Sequence, residues 1–324
     1  MGNAIDVRGL RKRFGQVTAL DGVDFEVGEG ELFGFLGPNG AGKTTTINVL
    51  TGLGRLDAGT VQIGGIDCTR NPKAAQHLIG VVPDESNLYP ELTGFENLGF
   101  CAALYGMRKS PREARARELL SAFGLTDAAN RKFGGYSKGM KRKLTIAAGI
   151  IHQPSILFLD EPTTGIDVAS ARQIRQLIAD LHRGGTTIFL TTHYIEEAER
   201  LCDRIAFIVA GRIVRTDTVA ALMQQAEGRH VVEFALSDAA RDVCDPLAAA
   251  FQELQCQFVS EGRVRIESGE PIHIGPLVRF FEGRGLEVTE ARKIELSLEE
   301  VFVRVTGIEA AAMRREKEKA GPGP

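Results

Sequence analysis

The run FLGPNGAGKTTT, from Phe35 to Thr46, constrains this chain more than any other stretch. It fits the pattern G-x-x-x-x-G-K-[ST], with Gly37, Gly42, Lys43 and Thr44 in the fixed places and Pro38, Asn39, Gly40 and Ala41 between them. The apolar residues 31–36 predict a buried strand before it, and residues 43–53 predict a helix after it. That strand–loop–helix setting is the one in which the pattern binds phosphate. Glycines let successive backbone N–H groups approach an anion where a Cβ would clash. The helix that follows, opened by Lys43, Thr44 and Thr45, aims its positive end at the same point. Lys43 can reach the β- and γ-phosphates as a point charge, and the Thr44 hydroxyl can complete the shell of a Mg2+ ion. The expectation is a nucleoside triphosphate site.

Composition narrows what surrounds that site. At 324 residues the chain has room for two domains, and 43% hydrophobic with 25% charged residues is ordinary for a globular protein. A formal net charge of -3 gives no reason to expect nucleic acid as a partner. Cys68, Cys101, Cys202, Cys244 and Cys256 are widely spaced with no C-x-x-C pair, which predicts reduced thiols in a cytoplasmic protein and no structural zinc. No basic segment and apolar core follow Met1, so no signal peptide is expected. No apolar run approaches the ~20 residues of a membrane-spanning helix.

Taken in order, residues 4–27 predict short strands about a turn at Phe14-Gly15, with Leu20, Val23, Phe25 and Val27 in period-two alternation. Phe14 can serve as a stacking platform for adenine or as a core aromatic. Short strands are expected at 60–63 and 79–82, the latter leading to Pro83 and Asp84. From residue 93 to 153 the spacing turns helical (Leu98, Cys101, Ala102, Tyr105), with Pro111 opening a second helix. Within this insertion Tyr136-Ser137-Lys138-Gly139-Met140 offers a hydroxyl and free N–H groups at a helix start, which by itself is an ordinary N-cap. The apolar strand 155–159 then ends in Asp160-Glu161-Pro162. An acidic residue there can hold Mg2+, and the next carboxylate can polarise a water for attack on the γ-phosphate. A polar turn (163–167) and a helix (170–182) lead to the strand 186–190, which delivers Thr191-Thr192-His193. Ligands of open α/β sheets bind at the carboxyl ends of strands, so Lys43, Asp160 and His193 are expected to converge.

Together these residues resemble the ATP-binding subunits of ABC transporters across residues 5–225. GPNGAGKTT resembles the family's Walker A motif, and ILFLDEP its Walker B motif, with Asp160 the Mg2+ residue and Glu161 the catalytic base. YSKGM stands where the family has its signature sequence, TGID resembles the D-loop, His193 the switch histidine, and Phe14 the adenine-stacking aromatic. The resemblance implies an α/β P-loop NTPase of the ABC ATPase type with a helical subdomain (93–153), hydrolysing ATP with Mg2+. It further implies a homodimer in which each Walker A loop faces Ser137 and Gly139 of the other copy. Such a dimer would drive a separate membrane permease from the cytoplasmic side of the membrane. Departures are Lys138 and Met140 in the signature, and Asp84 where the family glutamine contacts the metal. A carboxylate keeps the oxygen ligand but lacks the amide donor. Similar substitutions occur in the ABC-2 exporter branch, with its drug-resistance and sodium-export ATPases. Two rival readings are a soluble ABC-type ATPase acting on nucleic acid or ribosomes, and a regulatory nucleotide-binding module without turnover.

Beyond residue 228, strands at 230–236, 257–260, 263–267 and 286–293 and helices at 247–254 and 276–282 are expected. Their order, β-α-β-β-α-β, suggests a small α+β domain of ferredoxin-like type over 228–306, followed by a flexible tail, 307–324. The run from Leu296 to Phe302 resembles the closing helix of the accessory domain on ABC-2-type exporter ATPases.

Overall fold

A computed structural model describes residues 2–224, 230–237, 243–260, 262–294 and 297–308. The expected boundary near 225–228 and the tail residues 309–324 lie outside the described residues. The chain divides into two compact units, Met1–Val219 with Val305–Pro324, and Ala220–Arg304.

In the first unit the early strands are long: β1 (Asn3–Phe14) and β2 (Val17–Gly28) pair antiparallel, each twelve residues, rather than forming the short strands expected. Alternation explains the length, since Ile5, Val7 and Leu10 face inward from β1, and Leu20, Val23, Phe25 and Val27 from β2. Next come β3 (Leu32–Leu36) and α1 (Lys43–Leu50). That helix ends three residues before the expected limit, because Thr51 caps it and Gly52 turns left-handed at φ 77°. β4 (Ala58–Ile63) and β5 (Ile66–Asp67) complete a four-stranded sheet ordered β2-β1-β4-β5.

The second sheet carries the chemistry. β6 (Ile79–Val82) is followed by the helices α2 (Gly94–Leu104), α3 (Lys109–Ala122) and α4 (Lys138–Gly149). Thr93 and Glu96 form a reciprocal capping box that fixes the start of α2. Pro111 sits in the first turn of α3, not at its start, where its missing N–H leaves no donor to waste. β7 (Ile156–Asp160), α5 (Val168–Arg183), β8 (Thr187–Thr192), α6 (Ile195–Leu201), β9 (Arg204–Val209), β10 (Arg212–Thr218) and α7 (Val219–Gln224) follow. The sheet order is β10-β9-β3-β8-β7-β6, parallel except for β10. β3, β7 and β8 are buried throughout, as strands covered on both faces must be. The two sheets share one core, in which Phe25 from β2 meets Phe33, Phe35 and Phe189 at ring distances of 5.6–5.7 Å.

The second unit contains β11 (His230–Leu236), α8 (Cys244–Ala250), β12 (Gln255–Ser260), β13 (Arg263–Ser268), α9 (Ile274–Glu282), β14 (Val288–Ile294) and α10 (Leu298–Thr306). Its sheet runs β12-β13-β11-β14 with every pair antiparallel. Val232, Phe234, Val264, Ile266, Leu277 and Phe281 form its own core. α8 lies earlier than expected, because Pro246 fits a first helical turn and the apolar run read as a helix ends in a turn at 251–254. The thiol expectation needs correction. Cys244 and Cys256 form a disulfide between α8 and β12, while Cys68, Cys101 and Cys202 are free. The two stand twelve positions apart, a spacing without a sequence signature, and the fold brings their Cα atoms to 5.2 Å. Among the described residues no helix is long and apolar enough to cross a membrane.

Candidate functional site

The site forms where the central parallel strands end. β3 and β8 are neighbours in the sheet, and the Gly37 N–H continues their ladder by donating to Thr192 O at 3.4 Å. A side chain at Gly37 would place its Cβ 2.1 Å from Ile208 O, so the loop can leave β3 by this route only as glycine. Gly42 holds φ 105° directly before α1, a conformation L-residues avoid. The loop between them closes on its own lysine. Lys43 is buried and donates Nζ to Gly37 O (2.8 Å) and Pro38 O (3.1 Å). The N–H groups of Lys43, Thr44 and Thr45, in the first turn of α1, have no intrahelical acceptor.

Opposite the loop, β7 delivers the carboxylates. Asp160 is its last residue, and Glu161 follows with φ 48°, a strained left-handed backbone for a residue with a Cβ. Glu161 Oε1 lies 3.2 Å from Lys43 Nζ yet makes no hydrogen bond, and Oε2 meets His193 Nδ1 at 2.7 Å and the Thr164 hydroxyl at 2.9 Å. Burial alone would raise the Glu161 pKa. The His193 hydrogen bond and the Lys43 charge outweigh it and bring the carboxyl down to about 2. It is therefore ionised, so His193 Nδ1 must carry the proton it shares. Asp160 differs: burial pushes its carboxyl up, hydroxyls of Thr191 and Thr44 oppose this, and the charges of Glu161 and Asp84 add to it. Thr44, Asp160, Glu161, Lys43 and His193 thus share one corner, where residues expected from three separate strands meet.

Asp84 follows β6, the strand beside β7, and its charge is felt at Asp160. The residue that fixes it was not legible in the sequence. Arg142, buried in α4, donates to Pro83 O, Asp84 O (2.8 Å) and Glu161 O (3.0 Å), and lies 3.5 Å from Asp84 Oδ1. Its setting, Lys141-Arg142-Lys143, looks like a solvated charged face; only its helical phase beside buried Gly139 and Ile146 hinted otherwise. Thr163, Thr191 and Glu197 were missed in the same way.

Phe14 is 59% exposed at the end of β1, with Lys12 Nζ 5.2 Å from its ring centre, so it is a surface aromatic and not a core one. Ser137 caps α4 by accepting from Met140 N at 3.3 Å, and Gly139 lies so close to α5 that a Cβ would meet Ser170 Oγ at 2.4 Å. Among the described residues no hydrogen bond or ion pair joins Phe14, Ser137 or Gly139 to the Lys43–Glu161–His193 network.

A phosphate-gripping loop at the switch point of a mainly parallel sheet, facing a buried acid pair and histidine, defines a P-loop ATPase. The family description "ABC transporter" matches residues 20–164. The daunorubicin resistance ATP-binding protein DrrA2 of Streptomyces coeruleorubidus is 38% identical over 94% of this chain and 96% of its own length. The Nod factor export ATP-binding protein I of Burkholderia orbicola is 37% identical over 94% and 97%. A solved ATP-binding cassette, a dimer in a post-hydrolysis state bound to ADP and Pi, superposes with TM-score 0.62 at 28% identity, over 66% of this chain and 98% of that one. The chain belongs to the ABC transporter ATP-binding family and is an ATPase.

Proposed function

We propose that this chain powers an ABC-2-type exporter as a homodimer, bound peripherally to permease subunits on the cytoplasmic face of the membrane. The names of the relatives support export, and the dimeric solved cassette supports pairing. In that pair, ATP lies between the Walker A loop of one copy and Ser137 and Gly139 of the other. Phe14 stacks on adenine with its free face. Pro38, Asn39, Gly40, Ala41 and the α1 N-terminus, through Thr45, surround the phosphates, and Lys43 moves from its carbonyl bonds to the β- and γ-phosphates.

The residues present fit Mg2+. One hydroxyl and one carboxylate, Thr44 and Asp160, already face each other, and Asp84 stands near. Mg2+ takes few protein ligands and completes its shell with phosphate oxygens and water, so the lack of a three-ligand cluster among the described residues suits it. When bound it supplies charge neutralisation at the phosphates. Glu161 accepts a proton from the attacking water through Oε1, which has no hydrogen bond within the chain, and His193 turns to the γ-phosphate.

The observation that carries this reading is the buried Lys43–Glu161–His193 contact. Glu161→Gln keeps shape and loses basicity. It is expected to bind ATP while its kcat falls by about a hundredfold or more. Turnover close to the unaltered protein would remove Glu161 from the role of base.

A further inference from the structure

Two segments carry the reacting groups, the turn after β7 and the loop after β8. They are joined by the Glu161–His193 hydrogen bond, and by a second tie a short way along each. The Thr163 hydroxyl donates to Glu197 Oε1 at 2.7 Å, with both residues buried. Thr163 stands two residues after Glu161, and Glu197 one helical turn after His193, in α6. The other carboxyl oxygen, Oε2, is buried beside a cavity of about 300 Å3 that His193, Tyr194, Ile166 and Arg175 also line, and the Thr192 hydroxyl and the Arg175 charge act on the same carboxyl. A carboxyl in this place is expensive to desolvate, and packing alone would be served by an apolar side chain. The Thr163 bond is what a carboxyl gives here and a leucine would not.

The first tie cannot survive the reaction, because Glu161 must turn to water and His193 to the γ-phosphate. We propose that Glu197 is a positioning residue: through Thr163 it keeps the Glu161 turn and the His193 loop in register while the Glu161–His193 bond is open. The inference rests on the reading of Glu161 as base.

The test uses the full-length chain and compares Glu197→Ala, Glu197→Gln, Thr163→Val and the double variant Thr163→Val/Glu197→Ala. Steady-state ATP hydrolysis gives kcat, and a fluorescent ATP analogue gives nucleotide Kd. Glu197→Ala and Thr163→Val are each expected to lower kcat about tenfold with Kd changed by less than about twofold, the size of one buried hydrogen bond. The double variant should fall no further than the worse single one, and Glu197→Gln, whose amide oxygen still accepts from Thr163, should recover most of the loss. Unchanged kcat in Glu197→Ala, losses that multiply in the double variant, or kcat and affinity falling together would overturn the proposal. If Glu197→Ala does not fold, the near-isosteric Thr163→Val and the Glu197→Gln variant decide it alone. Normal turnover in Glu161→Gln would refute the base, a failure visible apart from the coupling between positions 163 and 197.

Discussion

At the scale of single residues, Glu161 is constrained on several sides: buried, left-handed, and held between an ammonium and an imidazole. Its folded pKa of about 2 lies below its ordinary 4.5. The ionised form is therefore favoured by folding, and that stability is complete above pH 4.5 and is lost as pH falls toward 2. Asp160 and Glu197 act in the opposite sense, since burial raises both and protonation relieves it. Without nucleotide or magnesium, the unaltered protein should lose about 1–3 kcal/mol more than Glu161→Gln between about pH 5 and pH 3. Urea midpoints at the two pH values measure the difference; parallel losses would mean that the carboxylate is not held by its neighbours as the geometry requires. Lys43, Thr44 and Asp160 were readable from the sequence because each has a fixed offset from a strand end. Glu197 was not, because an acidic pair such as Glu196-Glu197 in a short helix has the same sequence form whether it is solvated or buried.

Among elements, α4 does more than present Ser137. Its buried Arg142 ties two neighbouring strand ends into one edge by bonding Pro83 and Asp84 after β6 and Glu161 after β7. Arg142→Met would fill much of the volume while leaving those carbonyls without their donor, at a loss of about 2–4 kcal/mol in stability. The variant should also turn over more slowly, because the Glu161 backbone loses its partner. Thermal unfolding and ATPase assays check both, and a variant as stable and active as the parent would show that the guanidinium bonds are replaceable. Helix positions followed from periodicity where the pattern was long, as in α5, and drifted where it was short. α8 was misplaced because a helix of seven residues carries too few apolar positions to fix its phase.

For the whole molecule, the two units have separate cores, and the motifs of ATP chemistry all lie in the first. Tagged in its own cells and solubilised in mild detergent, the chain is expected to bring down a multi-span membrane protein in comparable amount. Recovery from the soluble fraction with ribosomal proteins or DNA enzymes would leave the ATPase intact and overturn transport.

By itself the sequence determined the phosphate loop, the carboxylate turn, the strand end that carries His193 and their order along the chain. Each rests on local backbone geometry, such as glycine at positive φ, a helix start, or an apolar strand with an acidic end. The tertiary structure decided which of these groups touch. The Lys43–Glu161–His193 contact, the Arg142 clasp, the Thr163–Glu197 tie and the Cys244–Cys256 bond each join residues distant along the chain. Such pairs depend on strand order and on burial from all sides, which no local pattern of residues encodes.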